Sequence, residues 1–302
     1  MKLAVWKRWL CRVVAGGVLV LPVSAYADVS KPVIDGVWAQ GSILRGQLAR
    51  GDSLYFLDRE VPVSSDGYFV LGLGRDFPET ATLTVKTAAG DSTDFQYPVQ
   101  PQEYKIQRVE GVPAKTVNPD PKYLARIREE GAQVAVARKV NSDLQHYRQA
   151  FQWPLVGRIS GVYGSQRFYN GEPRRPHYGV DVAAPTGTVV RAPADGVVTL
   201  SHKGMFFSGG TLIVDHGQGL SSTFMHLSKL LVEDGQEVRQ GDKIAEVGAT
   251  GRATGPHLDW RMNWFDQRVD PTFLVPPMSE VLAEDRAAAN QDKSADKTKQ
   301  VQ

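Results

Sequence analysis

Cysteine is almost absent from this 302-residue chain; the single one, Cys11, lies close to the N terminus. That excludes a disulfide framework or thiol chemistry in the rest of the sequence. Charge of one sign is also lacking, with 35 Lys and Arg against 33 Asp and Glu. Long apolar runs are missing too. Val13 to Val23 is too short to span a bilayer comfortably. A near-neutral chain offers no electrostatic case for nucleic-acid binding, so no nucleic-acid partner is expected.

The N terminus carries the pattern of an export signal. Lys2, Lys7, Arg8 and Arg12 form a basic opening, Val13 to Val23 an apolar core, and Ala25-Tyr26-Ala27 a small-x-small cleavage site. Cleavage after Ala27 is expected. Removing those four basic residues leaves 31 Lys and Arg against 33 Asp and Glu. Cys11 lacks the residues that precede a lipidated cysteine. The sequence therefore predicts an exported protein, periplasmic or secreted, with no stable membrane insertion after signal cleavage.

The chain divides by pattern into residues 1–27, the signal; 28–112, a β-sandwich module; 113–152, a linker and long helix; 153–276, a second β-rich domain; and 277–302, a disordered tail. In the first module, runs such as Ser53–Leu57, Tyr68–Leu73, Thr82–Val85 and Phe95–Val99 are rich in strand formers. Asp66-Gly67 and Ala89-Gly90-Asp91 punctuate them as turns. Short, regularly spaced strands predict an immunoglobulin-like sandwich. It serves as a positioning or binding module, or as a plain spacer.

Asp120 followed by Pro121 reads as a helix cap with proline in the first turn. Leu124, Ile127, Val134, Val140, Leu144, Tyr147 and Phe151 follow at helical steps, predicting one long helix. Such a helix is either a strut or a lid. Beyond it, candidate strands are Thr188–Ala192, Gly196–Ser201, Thr211–Asp215, Ser222–His226 and His257–Trp264. The fold class expected is mainly β, with the helix between two β-rich parts.

Chemistry-bearing residues gather in the second β-rich domain. His177 and Asp181 stand four apart, and both helix and strand put such positions on one face. An imidazole and a carboxylate are a normal pair of zinc ligands. In His257 to Trp264, period-two reading puts Leu258, Trp260, Met262 and Trp264 on an apolar face, with His257, Asp259, Arg261 and Asn263 opposite. Asp259 then either joins a site or pairs with Arg261 at the surface. His226 ends an apolar strand. His146, His202 and His216 stand outside any paired pattern. The loop from His202 to Gly210, with Met205, Phe206 and Phe207, either walls a groove or packs as a hairpin tip.

Taken in order, His177-x-x-x-Asp181, Phe224-Met225-His226-Leu227-Ser228 and Gly255-Pro256-His257-Leu258 resemble the signature of lysostaphin- and LytM-like zinc endopeptidases. Gly179-Val180-Asp181, Ala194-Asp195-Gly196, Val214-Asp215-His216-Gly217 and Gln240-Gly241-Asp242 strengthen the likeness, which covers roughly residues 155 to 272. The resemblance implies an antiparallel β-sheet metallopeptidase domain that cuts peptide cross-bridges of peptidoglycan with Zn2+. It makes His177 and Asp181 metal ligands and His226 and His257 the catalytic imidazoles. No His-Glu-x-x-His helix supplies a glutamate base. The position of Asp259 is normally histidine, the third ligand. With aspartate there, the shell is one imidazole and two carboxylates, which lowers the pKa of bound water less. The alternative is a catalytically impaired relative that binds the cell wall or activates another murein hydrolase. Peptidoglycan peptide stems are the expected partner, together with a wall-hydrolase or regulatory protein.

Overall fold

A computed structural model of the protein describes residues 29–110 and 120–287. The expected signal, most of the proline-marked linker and the end of the tail lie outside the described residues. Among those described, no helix is long and apolar enough to cross a membrane.

The first module contains seven strands: β1 (Val33–Asp35), β2 (Ile43–Gln47), β3 (Ser53–Phe56), β4 (Arg59–Val61), β5 (Tyr68–Gly72), β6 (Thr80–Lys86) and β7 (Ser92–Pro98). They form two antiparallel sheets, β1-β2-β5 and β4-β3-β6-β7. Alternation explains the pairing. Leu54 and Phe56 on β3 and Ala81, Leu83 and Val85 on β6 are buried, and the residues between them are more exposed. Gly67 closes the turn before β5 at φ +90°, where any side chain would strike the Leu48 carbonyl oxygen.

The predicted long helix is much shorter in the structure. Helix α1 runs only over Leu124–Ala137, after a short 3-10 turn capped by Asp120. Asn141, Ser142 and Asp143, which favour side-chain bonds to local backbone over helix, follow directly. Tertiary bonds then tether irregular chain that includes a short 3-10 turn, His146–Arg148. Ser142 accepts from the Gln218 amide, and the Tyr147 amide donates to the His216 carbonyl. Tyr147 and Phe151 are buried, but by this tethered segment and not by a helical face.

The remaining strands are β8 (Ile106–Val109), β9 (Arg158–Gly161), β10 (Gln166–Tyr169), β11 (Glu172–Pro173), β12 (Val180–Ala183), β13 (Val189–Arg191), β14 (Gly196–Met205), β15 (Gly209–Asp215), β16 (Leu220–Leu227), β17 (Lys229–Leu230), β18 (Glu237–Val238), β19 (Lys243–Glu246), β20 (His257–Trp264) and β21 (Gln267–Val269). An eight-stranded antiparallel sheet dominates, in the order β18-β14-β15-β16-β20-β12-β9, with β21 beside β20. Strand β8 joins β10 in parallel, and β13-β19-β17 form a small separate sheet. Residues 278–287, at the start of the expected tail, are helical, and Met278 is buried.

Both faces of the large sheet are covered. The apolar side of β20 packs on the first module: Phe56 lies 5.8 Å from Trp264 between ring centres, and Gly72 sits against Trp264 and Val269. The opposite face carries a small cluster of Leu200, Met205 and Ile213, covered by Val134 and Ala137 of α1. Arg138, just past α1, donates to the Thr223 hydroxyl at 3.1 Å. Thr223 pairs across strands with Arg261, so α1 ends beside the polar row of β20.

Candidate metal centre

Strand register builds most of the site. Asp181 on β12 stands directly opposite Asp259 on β20. Opposite residues of an antiparallel pair share a face, so both carboxylates project the same way. His177 lies before β12, in irregular chain, and not on the strand face suggested by its spacing. Its amide donates to the Ser165 carbonyl and its own carbonyl accepts from the Gly164 amide. These bonds bring His177 Nε2 to 3.2 Å from Asp181 Oδ1. One ligand atom from each of His177, Asp181 and Asp259 lies within 4.8 Å of the others.

His226 reaches the site against strand alternation. Met225 is the residue paired with Asp259, so His226 would by default point to the other face. Its φ of +62° breaks that alternation, a strained conformation for a residue with a side chain. The ring then stands 4.8 Å from that of His257. His257 Nε2 is 3.9 Å from Asp181 Oδ1. His226 Nδ1 donates to the Thr250 carbonyl and His257 Nδ1 to the Gly255 carbonyl, each at 2.8 Å. A carbonyl only accepts, so Nδ1 carries the proton in both rings and Nε2 keeps its lone pair. Burial pushes the His226 pKa down, against the Thr250 bond, which raises it.

Asp259 is buried and doubly held. Arg261 Nε donates to Oδ1 at 2.9 Å and Arg261 Nη2 to Oδ2 at 2.6 Å. Burial alone would raise the Asp259 pKa. The Arg261 charge and its hydrogen bonds outweigh that and hold it below the ordinary value, with His177 and His226 contributing. The two readings of Asp259 thus coexist: it pairs with Arg261 while still facing His177 and Asp181.

The donor set suits a divalent cation. His177 Nε2 and Asp181 Oδ1 are shut off from solvent, and neither makes a hydrogen bond. Buried polar atoms without partners are costly, and a shared cation would satisfy both. One imidazole and two carboxylates lie within the ordinary zinc repertoire, and the oxygen-rich composition also suits harder ions. Two glycines clear the space. A Cβ on Gly161 would lie 2.2 Å from Asp181 Oδ2, and one on Gly179 would lie 2.6 Å from Asp259 Oδ1.

Residues 175–271 match peptidase family M23. A Pseudomonas aeruginosa protein, crystallised as a peptidase M23, is 31% identical; the alignment covers 82% of this chain and 96% of that one, with a TM-score of 0.62. The chain belongs to peptidase family M23. The chain is also similar to the DD-carboxypeptidase/endopeptidase Mpg of Neisseria meningitidis serogroup B, 40% identical over 146 residues, which is 47% of this chain and 33% of that protein. It resembles the peptidoglycan DD-endopeptidase ShyA of Vibrio cholerae at 36% over 125 residues, 41% of this chain and 29% of that one. The chain spans about a third of the length of these curated relatives.

The groups that orient the two imidazoles carried no sequence signal. The Thr250 and Gly255 carbonyls orient the imidazoles, but any residue could supply them. The hairpin tip between β14 and β15 packs on α1: Phe206 lies 4.8 Å from Tyr123, and the Phe206 amide donates to Glu130 Oε2 at 2.7 Å. Two residues on, the Ser208 carbonyl accepts from the His226 amide. His216 is a structural residue. Its Nδ1 donates to the Asp195 carbonyl, and the Ser222 hydroxyl lies 2.8 Å from its Nε2. His146 and His202 lie outside the cluster.

Proposed function

We propose that this chain is an exported, zinc-dependent endopeptidase that hydrolyses peptide cross-bridges of peptidoglycan. One observation carries the reading: two buried, unpartnered ligand atoms, His177 Nε2 and Asp181 Oδ1, face a third buried carboxylate, Asp259. The Vibrio relative, a peptidoglycan DD-endopeptidase, supplies the substrate class.

His177, Asp181 and Asp259 would hold the ion. Bound there, zinc supplies Lewis acidity to a peptide carbonyl and makes water a better nucleophile near neutral pH. His226, kept neutral by burial, presents Nε2 as the group that takes a proton from the attacking water. His257, with Nδ1 tied to Gly255, stands beside it, and with a second proton on Nε2 it would donate to the charge that develops on the carbonyl oxygen. The Thr250 and Gly255 bonds orient both rings before substrate arrives.

The Arg261 fork on Asp259 favours a second reading, a catalytically impaired relative that binds the wall or activates another hydrolase. Metal content and cleavage separate the two. The mature chain is expected to hold about one zinc, to digest purified peptidoglycan, to stop with a chelator and to recover with added zinc. His257→Ala should remove cleavage while zinc stays bound. Protein that takes up no zinc and never cleaves would leave the second reading standing.

A further inference from the structure

We propose that Asp259 and Arg261 act together as one formally neutral metal ligand, occupying the place of a neutral imidazole. The inference rests on the metal site proposed above and concerns how this chain tolerates a carboxylate there.

Charge supports it first. His177 with Asp181 and Asp259 carries two negative charges, enough to cancel a divalent ion. Arg261 returns one positive charge through the two hydrogen bonds to Asp259, at 2.9 and 2.6 Å. The assembly then has the single negative charge of two imidazoles and one carboxylate, and the bound ion keeps its acidity. A carboxylate has about four lone-pair positions, so accepting the guanidinium fork leaves room for a cation.

Geometry supports it independently. The fork does not turn Asp259 out of the site: a carboxylate oxygen remains within 4.8 Å of the ligand atoms of His177 and Asp181. Gly179 makes room for the pair as a unit, since a Cβ there would lie 2.6 Å from both Arg261 Cγ and Asp259 Oδ1. Among the described residues, the side-chain hydrogen bonds of Arg261 go to Asp259 alone. Its cationic neighbours Arg138 and Arg268 are held below their ordinary pKa values, by burial first and by its charge among others. Asp259 is the acid that answers Arg261, and Asp181 is the next. A planar fork suits this task, and lysine would give a point charge instead.

The test compares zinc affinity of the full chain and of Arg261→Gln, by competition with a chromophoric chelator at pH 8, and follows the Arg261 Nε–H signal by NMR in the unmodified protein. Loss of the nearby positive charge should tighten zinc binding about tenfold or more while lowering kcat, because the ion becomes less acidic. In the unmodified protein, the Nε–H signal should stay at its hydrogen-bonded position after zinc is added. Unchanged or weaker affinity in Arg261→Gln, or release of Nε–H when zinc binds, would overturn the pairing and leave the peptidase reading intact. If Arg261→Gln does not fold, the NMR measurement alone decides. Absence of zinc binding by the unmodified chain would instead bring down the metal site itself, and the pairing with it.

Discussion

His216 sets a measurable acid limit on the fold. It is fully buried, and burial pushes its pKa down to about 4, with the Asp195 carbonyl bond acting the other way. In the unfolded chain it titrates near the ordinary value of 6.5. Between those values the unfolded chain binds a proton that the folded chain refuses. Stability therefore falls as pH drops through the window and is fully retained above it. Each pH unit in the window is worth about 1.4 kcal/mol, so by pH 4 this group alone removes about 3 kcal/mol. That is a large part of a typical domain's stability of roughly 5–15 kcal/mol. The assay is urea unfolding of chelator-treated protein from pH 7.5 to 4, followed by tryptophan emission, since Trp260 and Trp264 are fully buried. His216→Gln shifts the whole curve but should flatten its pH slope by up to about 1.4 kcal/mol per pH unit in the window. All other ionisable groups are common to both proteins and cancel in the comparison. Equal slopes for the two proteins would refute the reasoning.

Two further outcomes are expected. Gly72→Ala would drive a Cβ to 2.6 Å from Trp264 Cβ and 2.9 Å from Val269 Cγ1, both close to the backbone and unable to swing away; overpacking of this kind costs about 1–3 kcal/mol, read as a lowered thermal midpoint. Glu130→Ala removes the acceptor of the Phe206 amide and loosens the hairpin that bonds His226 through Ser208. Cleavage should slow severalfold with zinc affinity unchanged, and a parallel loss of zinc would show that α1 supports the whole sheet and not that imidazole.

Much of the fold was legible because it follows from period-two patterning. The span His257–Trp264 was read to the residue, and its apolar side is buried throughout. Strands Tyr68–Gly72 and Leu220–Leu227 match their expected positions within a few residues. The long helix failed for a definite reason. Leu144, Tyr147 and Phe151 fit a helical stripe, yet only Tyr147 and Phe151 are buried, and they sit in a short 3-10 turn and irregular chain whose backbone bonds go to Gln218 and His216. Periodicity reports which residues become buried, but not which backbone conformation buries them.

The sequence by itself determined which residue types are available: the imidazoles at 177, 226 and 257, the carboxylates at 181 and 259, and the alternation that puts Asp259 and Arg261 on one face of one strand. Only tertiary structure decided how they meet. Register placed Asp181 opposite Asp259, a left-handed residue turned His226 against its strand, and two loop bonds drew His177 in from irregular chain. Side-chain identity and period are local properties of the chain. Cross-strand register, a strained φ and the sharing of Asp259 between Arg261 and the site depend on segments far apart in sequence, which come together only when the sheet closes.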